Sequence, residues 1–275
     1  MQLAGLDIVR KRCLNALGLS FFFFISFGLV VSGFADNYVF AGQFDYNIGL
    51  GTRSLPLGLS SLSQMGYGQV LWGTYKQNSY SYGYIRPYQK IQASGFINRF
   101  DSGIGVYPIS IFGFEAGHTF SFRNVDLATI NCDAIECRGR TQSNYIGSRL
   151  ILGALGFGFV TTVKQIWIQP ENKSRLFGDE SSNLIGLAGG DRLFSLDATL
   201  IRPVNDRYSV GLYAYREKML GAQTTSDHES VFGSLTNGDW TFTIGSGAFR
   251  STTSKRGFTA YGAVKWTGKK SVEIF

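Results

Sequence analysis

Past Asp36 the chain carries two cysteines and two histidines, the side chains best suited to bind a metal, form a crosslink or move a proton near neutral pH. Cys132 and Cys137 lie in NCDAIECRGR with four residues between them. A structural zinc needs about four ligands, and His118 and His228 are far apart in sequence. No metal and no cofactor is expected. In an oxidising compartment the cysteine pair reads as a disulfide. It would close a short loop and contribute on the order of 2 kcal/mol in the chain-entropy model. Two free thiols are the alternative.

The histidines are the catalytic candidates. In IFGFEAGHTFSFR, His118 shares its parity with Phe114, Phe120 and Phe122. Ser121, three residues on, faces the other way in a strand, so the two cannot pair. His118 could act only with partners on an adjacent strand, and otherwise belongs to a girdle of aromatic side chains. His228 lies in TTSDHES, which reads as a loop, beside Ser226, Asp227, Glu229 and Ser230. Acids next to a histidine can orient a general base, and they are also what a solvated loop contains. No G-x-S-x-G is present, so there is no nucleophile elbow. GALGFGF leads into VTTVKQIWIQ, which reads as strand, so it lacks the helix that a dinucleotide loop requires.

The elements that hold these residues begin with a targeting pattern. Arg10, Lys11 and Arg12 precede an uncharged run from Cys13 to Phe34 centred on LSFFFFISFGLVV. Gly33 and Ala35 supply the small positions of a signal-peptidase site, so 1–35 reads as a cleaved signal peptide cut after Ala35. An uncleaved anchor is the other reading. Removal takes three basic residues and one acid, Asp7, and leaves a net charge of +5. That is modest and has no basic block, so no nucleic-acid partner is implied.

After Asp36 no apolar run of about 18 residues remains. Charged residues are only 16%, aromatics are 15%, and 35 glycines disperse the apolar content. In NYVFAGQFDYNIGL one parity holds Tyr38, Phe40, Phe44, Tyr46, Ile48 and Leu50, while the other is mostly polar or small. Period two of that length predicts a strand with one apolar face. The pattern recurs in LFSLDATLIR, WTFTIGSGAFR and GFTAYGAVKW. A two-sheet sandwich also alternates, but its outward face should be rich in charge. Here Asp45, Glu115, Arg149, Asp197, Glu217 and Lys265 are expected on the polar parity among Thr, Ser, Gly and Gln. Short links near 77–80, 108–110, 154–157, 203–206 and 237–239 alternate with links at roughly 51–65, 94–101, 124–141, 170–190, 220–228 and 252–256. Together they predict about 12 antiparallel strands, with 10–14 allowed. The 80–106 stretch alternates poorly and contains Pro87.

This all-β pattern over 36–266 resembles the transmembrane up-and-down β-barrels of Gram-negative outer membranes as a class. The likeness is one of pattern, without a family motif. Phe258, Ala260, Gly262, Val264 and Trp266 fit a closing strand that ends on an aromatic residue. The 267–275 segment is then a tail or an irregular last strand. The resemblance implies a monomeric protein of the outer membrane, inserted by the barrel-assembly machinery and surrounded by outer-membrane lipids and lipopolysaccharide. It implies a small porin-like passive channel for small polar solutes, or a structural surface protein. The alternatives are a lipid-modifying enzyme of the lipase or deacylase kind and an adhesin or receptor. On this topology CDAIEC is expected at an exposed loop tip.

Overall fold

A computed structural model describes residues 42–54, 57–73, 81–94, 97–124, 131–179, 182–253 and 256–269. The signal segment with Ala35 and Cys13, and the 270–275 end of the tail, lie outside the described residues. Fourteen strands follow in order: β1 (Gly42–Ser54), β2 (Leu57–Trp72), β3 (Gly83–Ala93), β4 (Ile97–Ile109), β5 (Phe112–Arg123), β6 (Gly139–Ala154), β7 (Phe157–Pro170), β8 (Phe177–Asp179), β9 (Leu184–Gly186), β10 (Asp191–Pro203), β11 (Tyr208–Met219), β12 (Thr225–Asn237), β13 (Trp240–Ser251) and β14 (Gly257–Lys269). Twelve of them close into one antiparallel barrel, with β1 pairing β14. β8 and β9 form a separate two-stranded hairpin.

Period-two sequence becomes two-sided wall. Along β1, Phe44, Ile48 and Leu50 point outward and are exposed, while Asp45 points inward and is buried. Leu50, Phe114, Ile146, Leu212, Val231 and Ile244 are each more than half exposed on the outer surface. So continuous an apolar belt is unstable in water and suits hydrocarbon. The shortest barrel strand has 11 residues. At about 3.3 Å per residue and a tilt of about 40°, it covers roughly 28 Å along the axis, enough for an apolar band of about 25 Å.

The links differ between the two ends. One end, the loop end, carries 124–138 and 171–190; the other, the turn end, carries two-residue turns at 110–111, 155–156 and 238–239. At 155–156 both Leu155 and Gly156 have positive φ, the geometry that lets a two-residue hairpin follow the strand twist. Trp240, Trp266 and Tyr46 cluster outward near the turn end, as interfacial aromatics do.

Several links differ from the sequence expectation. The 51–65 stretch is strand at 51–54 and again from 57 onward, because Leu59, Ser61 and Ser63 still alternate with an inward face of Gly58, Ser60 and Leu62. The turn-end link between β2 and β3 is longer than expected, spanning 73–82. Pro87 sits inside β3, where the pairing with β2 skips from Tyr88 to Ile85. A residue without an N–H is tolerated where the ladder is already interrupted. β14 runs three residues past Trp266, to Lys269.

Candidate functional site

The lumen is the enclosed polar space, and it is unevenly filled. On the β1–β7 side it is filled. Arg86 donates two hydrogen bonds to Asp45, at 2.9 and 2.6 Å, with both side chains buried. Tyr145 donates to Asp101 at 2.7 Å, and its oxygen lies 2.7 Å from that of Tyr88. Tyr107 donates to Glu115 at 2.8 Å, and Lys164 reaches the other oxygen of Glu115 at 3.3 Å. Arg149 and Lys164 both lie in electrostatic reach of Asp197. Glu217 of β11 is within reach of Arg99 of β4 and Arg53 of β1, so opposite walls face each other's charges.

One stretch of the wall, across the middle of β14 and the facing parts of β1 and β2, is sparse. Inward positions there hold Gly49, Gly51, Gly58 and Ala263, whereas Gly245 of β13 is covered by the ring of Tyr261. A methyl group built on Gly58 meets nothing within 4 Å, and one on Gly51 meets nothing closer than 3.8 Å. Ala263, at mid-strand, and Lys265 beside it are exposed although they face inward. A trough therefore runs along this wall.

A roof crosses the loop end. Phe177 of β8 and Leu184 of β9 are fully buried against Ile166, Ile168, Leu193 and Met219 on the inner faces of β7, β10 and β11. Arg123 of β5 donates to the Gly178 carbonyl. Asn183 donates to Ser251 of β13 and to Thr253, both at 3.0 Å. β5 and β13 stand six places apart in a ring of twelve, so the hairpin is tied to opposite walls.

The cysteine loop supports this roof. The sulfurs of Cys132 and Cys137 are bonded, with Cα atoms 5.5 Å apart. CDAIEC is not an exposed tip: Cys137 is buried and packs with Ile135 and Ile185 of β9. Glu136 pairs with Phe177, its N–H donating to the Leu176 carbonyl at 2.7 Å and its carbonyl accepting from Gly178 at 3.1 Å. Apolar side chains in both links drive this docking, since Ile135, Phe177 and Leu184 would otherwise sit in water.

All six charges expected in the lumen, Asp45, Glu115, Arg149, Asp197, Glu217 and Lys265, stand on inward strand positions. Arg86, Lys164 and Arg99 went unnoticed in the sequence. Arg86 was hidden beside Pro87, and Lys164 by the β-branched residues of VTTVKQIWIQ on both faces.

His118 and His228 are not brought together. His118 faces outward on β5, exposed, with Nδ1 2.9 Å from Asn144 Oδ1 on β6. The loop placement of His228 is overturned. It lies within β12, points inward and is buried among Tyr213, Tyr215 and Tyr261. Asp227 and Glu229 face outward, away from its ring, and Asp227 instead binds Arg250 at 2.7 Å and Arg216 at 3.4 Å. Neither His228 nitrogen has a hydrogen-bond partner. Among the described residues no group of three or more His, Cys, Asp or Glu could hold a metal ion.

No protein-family model matches the sequence. No curated protein matches it either. Among solved structures it is similar in fold to an outer membrane channel from Pseudomonas putida F1, at 10% identity and a TM-score of 0.46, over 84% of this chain and 97% of that one. The NanC porin is also similar, at 10% identity and a TM-score of 0.44, over 80% and 98%. The translocator domain of the autotransporter NalP from Neisseria meningitidis covers 96% of each chain at 12% identity, with a TM-score of 0.33. Closure in twelve antiparallel strands agrees with the class-level resemblance to outer-membrane β-barrels.

Proposed function

We infer that this chain is an integral outer-membrane β-barrel whose lumen is a narrow passive conduit for small polar solutes. The observation that carries this reading is the trough of inward glycines along β1 and β2, where an added methyl group at Gly58 would meet open space and one at Gly51 only loose contact at 3.8 Å. The apolar outer belt supports the membrane placement, with lipid and lipopolysaccharide as its surroundings and the barrel-assembly machinery as its route in. The loop end faces outside, after export through the 1–35 signal. The β8–β9 hairpin narrows that mouth, and the Cys132–Cys137 disulfide stiffens the loop on which the hairpin rests.

The test is single-channel recording from the refolded chain, Asp36 onward, in a planar bilayer. Small reproducible steps that scale with salt are expected. Electrical silence from a barrel that is folded by heat-modifiable migration overturns the conduit. Mass analysis of the unreduced protein should find the two cysteines joined; free thiols remove the stiffening role.

A further inference from the structure

The outer face of β3–β6 carries four polar side chains that the register sets in one row. Gln89 stands opposite Ser102, Ser102 opposite His118, and His118 opposite Asn144. All four lie on the outward parity, and Ser102, His118 and Asn144 are exposed. Around them the face is apolar, with Phe100 50% exposed and Ile146 55% exposed. A structural belt needs no such alignment of a hydroxyl, an imidazole and a carboxamide in the middle of an apolar surface.

The contacts order the row chemically. Asn144 Oδ1 lies 2.9 Å from His118 Nδ1. A carboxamide oxygen only accepts, so Nδ1 carries the proton and Nε2 keeps its lone pair. Residues directly opposed on antiparallel strands have Cβ atoms about 4.5–5.5 Å apart. The Cβ atoms of Ser102 and His118 are therefore neighbours, with Ser102 on the flank away from Asn144; the hydroxyl is not hydrogen-bonded to the ring in this structure, a contact that closes when substrate binds. A serine, a histidine and an oriented amide form the nucleophile, base and positioning group of acyl transfer. Barrel backbone N–H groups are spent in the ladder, so an oxyanion donor must be a side chain. Gln89, on the other flank of Ser102, supplies an amide for that purpose.

We propose that Ser102, His118, Asn144 and Gln89 form a lipid-facing esterase site that cleaves fatty-acyl esters of membrane lipids. Ser102 Oγ attacks the ester carbonyl as His118 Nε2 takes the hydroxyl proton. Gln89 donates to the oxyanion, and Asn144 holds the ring. Collapse breaks the ester C–O bond. The proton on Nε2 goes to the leaving alcohol, leaving an acyl-Ser102. Water, deprotonated by His118, attacks that acyl group and releases the fatty acid, and the proton returns to Ser102.

The proposal rests on the membrane placement but not on the conduit, and conductance does not enter its test. The refolded chain in mixed micelles is given phosphatidylethanolamine in one arm and purified lipopolysaccharide in the other, and released fatty acid is measured. Release in either arm is expected and identifies the source of the ester. Ser102→Ala and His118→Ala should each lower it at least about a hundredfold. Gln89→Leu should lower it by about the same factor. Asn144→Leu should lower it, and Asn144→Asp should restore part of it, which a merely structural role would not allow. Ser148→Ala, on the same outer face but outside the row, should leave it unchanged. Independently, a fluorophosphonate should label Ser102, read by peptide mass, and His118→Ala should abolish the labelling. Heat-modifiable migration confirms that each variant is folded. No release together with no labelling of Ser102 in the folded wild type sinks the site, as does release that survives Ser102→Ala.

Discussion

His228 illustrates what a single side chain can cost. Its ring is packed between tyrosines with centroids 5.3 to 6.1 Å away, yet both nitrogens lack partners. A buried polar group left unmade costs about 1–3 kcal/mol. Phenylalanine keeps the ring and removes the penalty. His228→Phe is therefore expected to raise the urea midpoint of unfolding, by about 1 kcal/mol in equivalent stability. A lower midpoint would mean that the nitrogens are satisfied in the native barrel, by water or by solute. TTSDHES reads as a loop because both of its parities are polar. Near the loop end of a barrel the inward face is polar as well, so local sequence there cannot separate rim strand from loop. The outward face of His118 is marked in the sequence by its aromatic neighbours. Its row was not legible, since partners at 102 and 144 become neighbours only through the strand register.

At the scale of elements, the turn at 155–156 and the β8–β9 hairpin make opposite points. Leu155 is 98% exposed and holds φ at 54°, a conformation costing a branched side chain about 1 kcal/mol. Leu155→Asn should raise thermal stability, read as the temperature at which the folded band is lost in heat-modifiable migration. An unchanged temperature means the turn is already relaxed. The hairpin is held by Phe177 and Leu184. Phe177→Ser should release it without opening the barrel, and is expected to enlarge the conductance steps; unchanged steps with an intact wall would mean that the constriction lies elsewhere. Long alternating strands such as β1 and β13 were readable because one apolar face ran unbroken. The hairpin was not, because its strands have three residues each. The available signal was the apolar content of 176–188, too high for a link that stays in water.

The whole molecule is a closed ring with an interior of mixed charge. Inward cations such as Arg53, Arg99, Arg149 and Lys164 are distributed among Asp45, Asp101, Glu115, Asp197 and Glu217. Such a lumen presents no large field of one sign. In a salt gradient across a bilayer the reversal potential should stay near zero. A strongly anion- or cation-selective potential would place the path against the charged, filled wall rather than along the trough. Strand number and closure were legible in the sequence, since turns and parity count strands directly. The split into a filled part and a sparse stretch was not, because it depends on which inward side chains meet across the ring.

The hairpin's two anchors also carry a history of assembly. Arg123 belongs to the fifth strand and Ser251 to the thirteenth, 128 positions later in the chain. The Cys132–Cys137 link spans only five positions and can form as soon as its own segment exists. Asn183 cannot meet Ser251 until the C-terminal strands have joined the wall. Locking of the roof is thus a late folding event, and the protection of its amides from hydrogen exchange becomes a clock for completion of the ring.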